Sequence, residues 1–132
     1  SWARQFGDER TARAVVTREW LDNGVRLALG SDAPTGPLIS PQLTMGGAMF
    51  RPTFSGKTLG PEQCLTIQEA LRAHTIEAAY AMHEEKIKGS IEAGKFADLA
   101  VWNEDPYSAA DHIGQVTIAM TLVGGKVVYQ KS

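Results

Sequence analysis

The chain has 132 residues, 43% of them hydrophobic, and a formal net charge of -2. That is enough for one globular unit with a modest core, and so balanced a charge argues against nucleic acid or an anionic membrane as partner. The apolar runs are too short to span a bilayer, and Cys64, the only cysteine, excludes an intrachain disulfide and a cysteine-rich zinc site.

Residues Ser1 to Phe6 lack the apolar stretch of a signal peptide, and a reducing, cytoplasmic setting is expected. The chain opens on Ser1 rather than on methionine, which suits either trimming or excision from a longer protein.

Asp8 to Asn23 is predicted as one helix. Asp8 and Glu9 stand at its positive end. Ala12, Val16 and Trp20 recur every fourth residue with Val15 beside them, and Gly24 occupies the left-handed cap position. Val25 to Leu29 is apolar except for Arg26 and is bounded by Gly24 and by Gly30-Ser31-Asp32, the pattern of a buried parallel strand. Helix, tight turn and strand make an α/β unit.

Ala33 to Gly60 shows no period. Pro34, Pro37, Pro41 and Pro52, with glycines at 36, 46, 47, 56 and 60, predict a long irregular segment, of a kind often functional or disordered. Thr66-Ile67-Gln68-Glu69 is a capping box that opens a helix through Ala70 and Leu71. Thr75 either begins a second helix through Ile76, Ala79 and Tyr80 or lies within one continuous helix. From Ile87 the period is two, through Ala97–Trp102 and Val116–Leu122. Gly124-Gly125 then predicts a hairpin into Lys126–Tyr129. The chain thus divides near residue 85 into an α/β part, 1–85, and an antiparallel β part, 86–132.

Asp32 is the first candidate for chemistry, because sites of open α/β sheets and barrels gather at the carboxyl ends of strands. A carboxylate there can bind a cation or move a proton; equally, aspartate is common at turns. Gly89-Ser90-Ile91-Glu92-Ala93-Gly94-Lys95 imitates a phosphate-binding loop. Phe96 stands where Ser or Thr is needed, and a strand follows where a helix should. It reads as a turn. His74, His83 and His112 have no ligand spacing and read as structural or surface histidines, and Cys64 as a small buried side chain. Trp20 and Trp102 read as core or interface. Arg51, in the irregular segment, could hold a carboxylate or phosphate if that segment covers a pocket; otherwise it is a solvated arginine.

Four segments occur in one order: Leu21-Asp22-Asn23-Gly24-Val25-Arg26-Leu27-Ala28-Leu29-Gly30-Ser31-Asp32-Ala33-Pro34, Leu65 to Thr75, Gly89 to Val101, and Val123 to Tyr129. Together they resemble the C-terminal end of the amidohydrolase superfamily, closest to amidohydrolase family 3 and its formamide-deformylase-like enzymes. The resemblance implies an α/β fold: the last strand and helices of a (β/α)8 TIM barrel over 1–85, and the C-terminal strands of a composite β-sandwich over 86–132. It makes Asp32, and only Asp32, the metal-binding and proton-handling aspartate that closes the eighth barrel strand; Arg51 is the substrate-binding candidate from its place in the irregular segment alone. The implied cofactor is a divalent metal, zinc foremost, and the partner a small amide-like molecule.

The family's other ligands, a His-x-His pair and further histidines, have no counterpart here, and a catalytic zinc normally needs three protein ligands. The expectation is therefore a C-terminal fragment of a metal-dependent hydrolase of non-peptide C–N bonds, inactive alone. Its lone strand would be completed by homo-oligomerisation or by a complementing N-terminal barrel segment. The alternative is a non-catalytic β-rich interaction module that keeps only the architecture.

Overall fold

A computed structural model describes residues 2–32, 39–53 and 55–132. Its first part is helical, and three antiparallel strands end the chain.

The chain opens with α1 (Trp2–Phe6), and two short helices, α2 (Asp8–Ala12) and α3 (Thr17–Asp22), replace the single one expected over Asp8–Asn23. The break falls at Val15, whose φ is +60°. Left-handed backbone costs an L-residue roughly 1–2 kcal/mol, and contacts from distant residues offset it. Arg51 donates to the carbonyls of Ala12, Ala14 and Val15. Gln63 caps α3 from outside, its Oε1 accepting from the amides of Arg18 and Glu19 at 3.1 and 3.2 Å. The Thr17 hydroxyl donates to the Gln63 carbonyl at 2.6 Å. Because the helix is broken, Val15 and Trp20 do not share a core face; both are exposed. Its end is as expected. Gly24 has φ +76°, its amide bonds the Leu21 carbonyl, and the Val25 amide bonds that of Trp20, which is a Schellman cap.

The stretch expected to be irregular contains α4 (Pro41–Phe50). Ser40 caps it through a bond from the Leu43 amide, and Pro41 fills the first position, where its missing N–H costs nothing. Gln42, Met45 and Met49 form the buried face. Residues 33–38, and with them Ala33, Pro34, Gly36 and Pro37, lie outside the described residues. The capping box holds: the Thr66 hydroxyl accepts from the Glu69 amide while the Glu69 carboxylate accepts from the Thr66 amide, opening α5 (Ile67–His74). Thr75, at φ −121° and ψ −95°, separates it from α6 (Ile76–Ala81), so the two-helix alternative is the one observed.

Met45 and Met49 from α4 and Ile67 and Ala70 from α5 make a core with Ala109, Ile113 and Val116. The last three flank or lie in the 3₁₀ segment Ala110–Gln115. Ile113 is fully buried, which stabilises by about 1.5–3 kcal/mol. The core thus joins residues from both sides of position 85.

β1 (Leu99–Trp102), β2 (Ile118–Val123) and β3 (Lys126–Gln130) form one antiparallel sheet with β2 in the middle. Val123 pairs with Lys126 across the expected Gly124-Gly125 loop. Both glycines have positive φ, +56° and +78°, the requirement of a type I′ turn.

Val25–Leu29 does not form the expected strand. A strand exists by its ladder, and among the described residues no neighbouring strand is present to supply one. The segment instead leans on α5, the Leu29 amide donating to the Ala73 carbonyl at 3.0 Å.

Candidate active site

Asp32 closes the segment that begins at the Gly24 cap. It is exposed, with φ +54°, a backbone region that aspartate tolerates better than most residues because its short polar side chain can bond locally. Leu27, earlier in the segment, is buried, and Leu29 is tied to α5 by its backbone amide.

The polar side chain that interrupts the apolar run makes the other tie. Arg26 Nε donates to Glu77 Oε2 at 2.6 Å, and its guanidinium lies 3.3 Å from the centroid of the Tyr80 ring. Arg72 donates to the other oxygen of Glu77 at 2.7 Å. The Arg26 bond, with that of Arg72, holds the Glu77 carboxyl below its usual range against the opposing effect of desolvation. Sequence reasoning missed Glu77. The available signal was a lone arginine inside an otherwise apolar run, which demands a counter-charge from elsewhere.

Arg51 sits at the C-terminal cap of α4 in left-handed backbone, φ +48°. Its Nε donates to the Leu59 carbonyl at 2.8 Å, and its terminal nitrogens to the carbonyls of Ala12, Ala14 and Val15 at 3.0–3.3 Å. These bonds fasten the end of α4 to the α2–α3 connection. Asp32 and Arg51, the two candidates from sequence, are thus built into different parts of the scaffold, and Arg51 is a brace in this geometry.

Burial lowers the pKa of His74, whose Nδ1 meets the Ala70 carbonyl at 2.9 Å and whose Nε2 meets the Thr44 hydroxyl at 2.7 Å. It is the satisfied structural histidine expected. His112 is flanked by Glu104 at 3.1 Å and Asp111 at 2.5 Å, which raise its pKa. His83 closes the turn after α6 with φ +60°. The phosphate-loop imitation is a turn leading toward β1, and its Lys95 ammonium is held by Ser90 and Glu92. Among the described residues, no three of His, Cys, Asp and Glu come together as a metal-holding group.

Residues 1–129 match the sequence profile of the Amidohydrolase family. N-substituted formamide deformylase of Arthrobacter pascens is 40% identical over 116 residues, covering 87% of this chain and 21% of that protein. Imidazolonepropionase of Geobacillus thermodenitrificans is 35% identical over 119 residues, covering 88% of this chain and 26% of that protein. The crystal structure of an amidohydrolase from Thermotoga maritima superposes with a TM-score of 0.63 at 24% identity, covering 84% of this chain and 24% of that one. The chain therefore spans about a quarter of the length of the proteins it matches.

Proposed function

This chain belongs to the amidohydrolase family, and from that premise we propose that it is the C-terminal part of a hydrolase of non-peptide C–N bonds in which Asp32 handles the proton of the attacking water. The observation that carries the reading is the placement of Asp32. It is an exposed residue in left-handed backbone, at the end of a segment tied to two helices.

A carboxylate so placed can accept a proton from water as the water attacks a carbonyl carbon. It can then return that proton to the departing nitrogen, a base turned acid. Both transfers need the carboxylate within about 3 Å of the oxygen and nitrogen concerned, so a fixed backbone matters more than an exposed one. Arg51 enters as the brace that holds α4, and its role in holding substrate is part of the same proposal.

A catalytic divalent cation needs about three protein ligands. The described residues do not fit one by themselves, for no such group converges among them, and no step here runs through a metal. In a metal-dependent whole protein, zinc being the first expectation, Asp32 would be one ligand and the others would come from further polypeptide. Residues 1–85 would then close a barrel, and 86–132 would supply part of a sandwich.

The non-catalytic reading draws on the outer strand β3, exposed along its whole length, a surface that suits a protein partner. One assay separates the two. A preparation containing this chain and the polypeptide that completes it is offered N-formyl amines, cyclic amides and a peptide control. Hydrolysis of the first two but not the peptide, abolished in Asp32→Asn, supports the enzyme. No hydrolysis of any amide, with a stable partner complex, supports the module.

A further inference from the structure

Resting on the reading of Asp32 as the reacting carboxylate, we infer that Glu77 is a positioning residue that sets where the Asp32-bearing segment lies on α5 and α6. No ladder fixes Val25–Gly30, which has no strand partner among the described residues. Close packing fixes it only in part, through Leu27. A cleft of about 190 Å³ opens beside it, bordered by Leu21, Val25, Leu27 and Ala73, and an incompletely filled contact leaves room to slide.

Polar ties remain. One is the backbone bond from Leu29 to Ala73, 3.0 Å. The other is Glu77, whose side chain is only 13% exposed. One of its oxygens holds Arg26 of the segment at 2.6 Å, and the other holds Arg72 of α5 at 2.7 Å. Tyr80, one turn along α6, carries the Arg26 guanidinium on its ring face. Segment, α5 and α6 therefore meet at a single carboxylate. Ion pairs this close to water add little stability, but they fix direction, and a shift of about 1 Å in a reacting group costs about 100-fold in rate.

The test compares Glu77→Gln, which keeps the shape and removes the charge, Arg26→Gln, which removes the segment's half of the contact, and Glu77→Asp. Amide hydrogen exchange is read at Leu29 and, as a global reference, at Ile113. In a catalytically active preparation containing this chain, kcat and KM are read separately. The expected result is Leu29 exchange about 10-fold faster in both Gln variants with Ile113 unchanged, and kcat about 10-fold lower with KM within about two-fold. Glu77→Asp should fall between them and the unaltered chain. Should Glu77→Gln not fold, Arg26→Gln carries the same readings. Unchanged Leu29 exchange, or faster exchange with unchanged kcat, overturns the inference. If instead Asp32→Asn leaves kcat intact, the reading of Asp32 fails, and the exchange data still decide what anchors the segment.

Discussion

The carboxylate of Glu69 grips the guanidinium of Arg18 through two bonds, 2.7 and 2.5 Å long, across 51 positions of sequence. The same carboxylate accepts from the Thr66 amide at 2.8 Å, so one side chain both caps α5 and docks α3 on it. The Arg18 bonds, ahead of those from Thr66, draw the Glu69 carboxyl down from 4.5 to about 2. A folded-state pKa below the unfolded one stabilises above the unfolded value and ceases to do so as pH falls through the folded one. Glu69→Gln is therefore expected to cost about 1–2 kcal/mol at neutral pH, allowing for partial exposure. That deficit should shrink between about pH 4.5 and pH 2. Urea unfolding of both proteins across this range checks it, and a deficit independent of pH would contradict it.

Arg51 makes a different prediction. Its bonds to four carbonyls join α4 to the α2–α3 connection, and Lys cannot reproduce a planar fork of donors. Arg51→Lys and Arg51→Ala should both lose about 2–4 kcal/mol, read as a lower urea midpoint. A Lys variant as stable as the unaltered chain would show that charge, not geometry, is what the position needs.

Gly89 lets the turn after α6 lie against that helix. At φ +92°, a Cβ there would stand 2.6 Å from Ala79 Cβ and 3.0 Å from Ile76 Cα. Gly89→Ala must move backbone as well as adopt left-handed torsions, and about 2–4 kcal/mol of destabilisation is expected. Thermal unfolding measures it; an unshifted midpoint would mean that the turn and α6 are not in contact.

Two histidines should titrate on opposite sides of 6.5. Burial lowers the pKa of His74, whereas Glu104 and then Asp111 raise that of His112. His74 thus favours the folded state above its unfolded pKa and ceases to as pH falls. His112 does so below its unfolded pKa and ceases to as pH rises through its folded value. Proton NMR of the folded chain should show His112 protonating before His74 on acidification, and Glu104→Gln should move His112 alone downward. A reversed order would contradict the assigned environments.

Local chemistry was legible where a few adjacent residues decide a conformation. The capping box at Thr66, the Gly24 cap and the Gly-Gly hairpin each need only their own neighbours. α4 was hidden because Gly46 and Gly47 dilute its apolar face, although Ser40-Pro41 was a readable start signal. The break at Val15 was not legible, since the arginine that offsets it lies 36 positions away. Val25–Leu29 reads as a strand by composition, yet strand formation depends on a neighbour that its own residues do not encode. Asp32 stands out as a candidate from the punctuation around it together with the family resemblance. Glu77, which anchors the segment that carries it, does not, because the pairing spans 51 positions.

The most direct test of the proton-handling role is the kcat of Asp32→Asn in a preparation that hydrolyses an amide, with amide chemical shifts confirming an unaltered fold. General acid–base catalysis contributes about 100- to 10,000-fold, and a loss of that size with KM little changed is the predicted result. Hydrolysis by the Asn variant at the unaltered rate would contradict it.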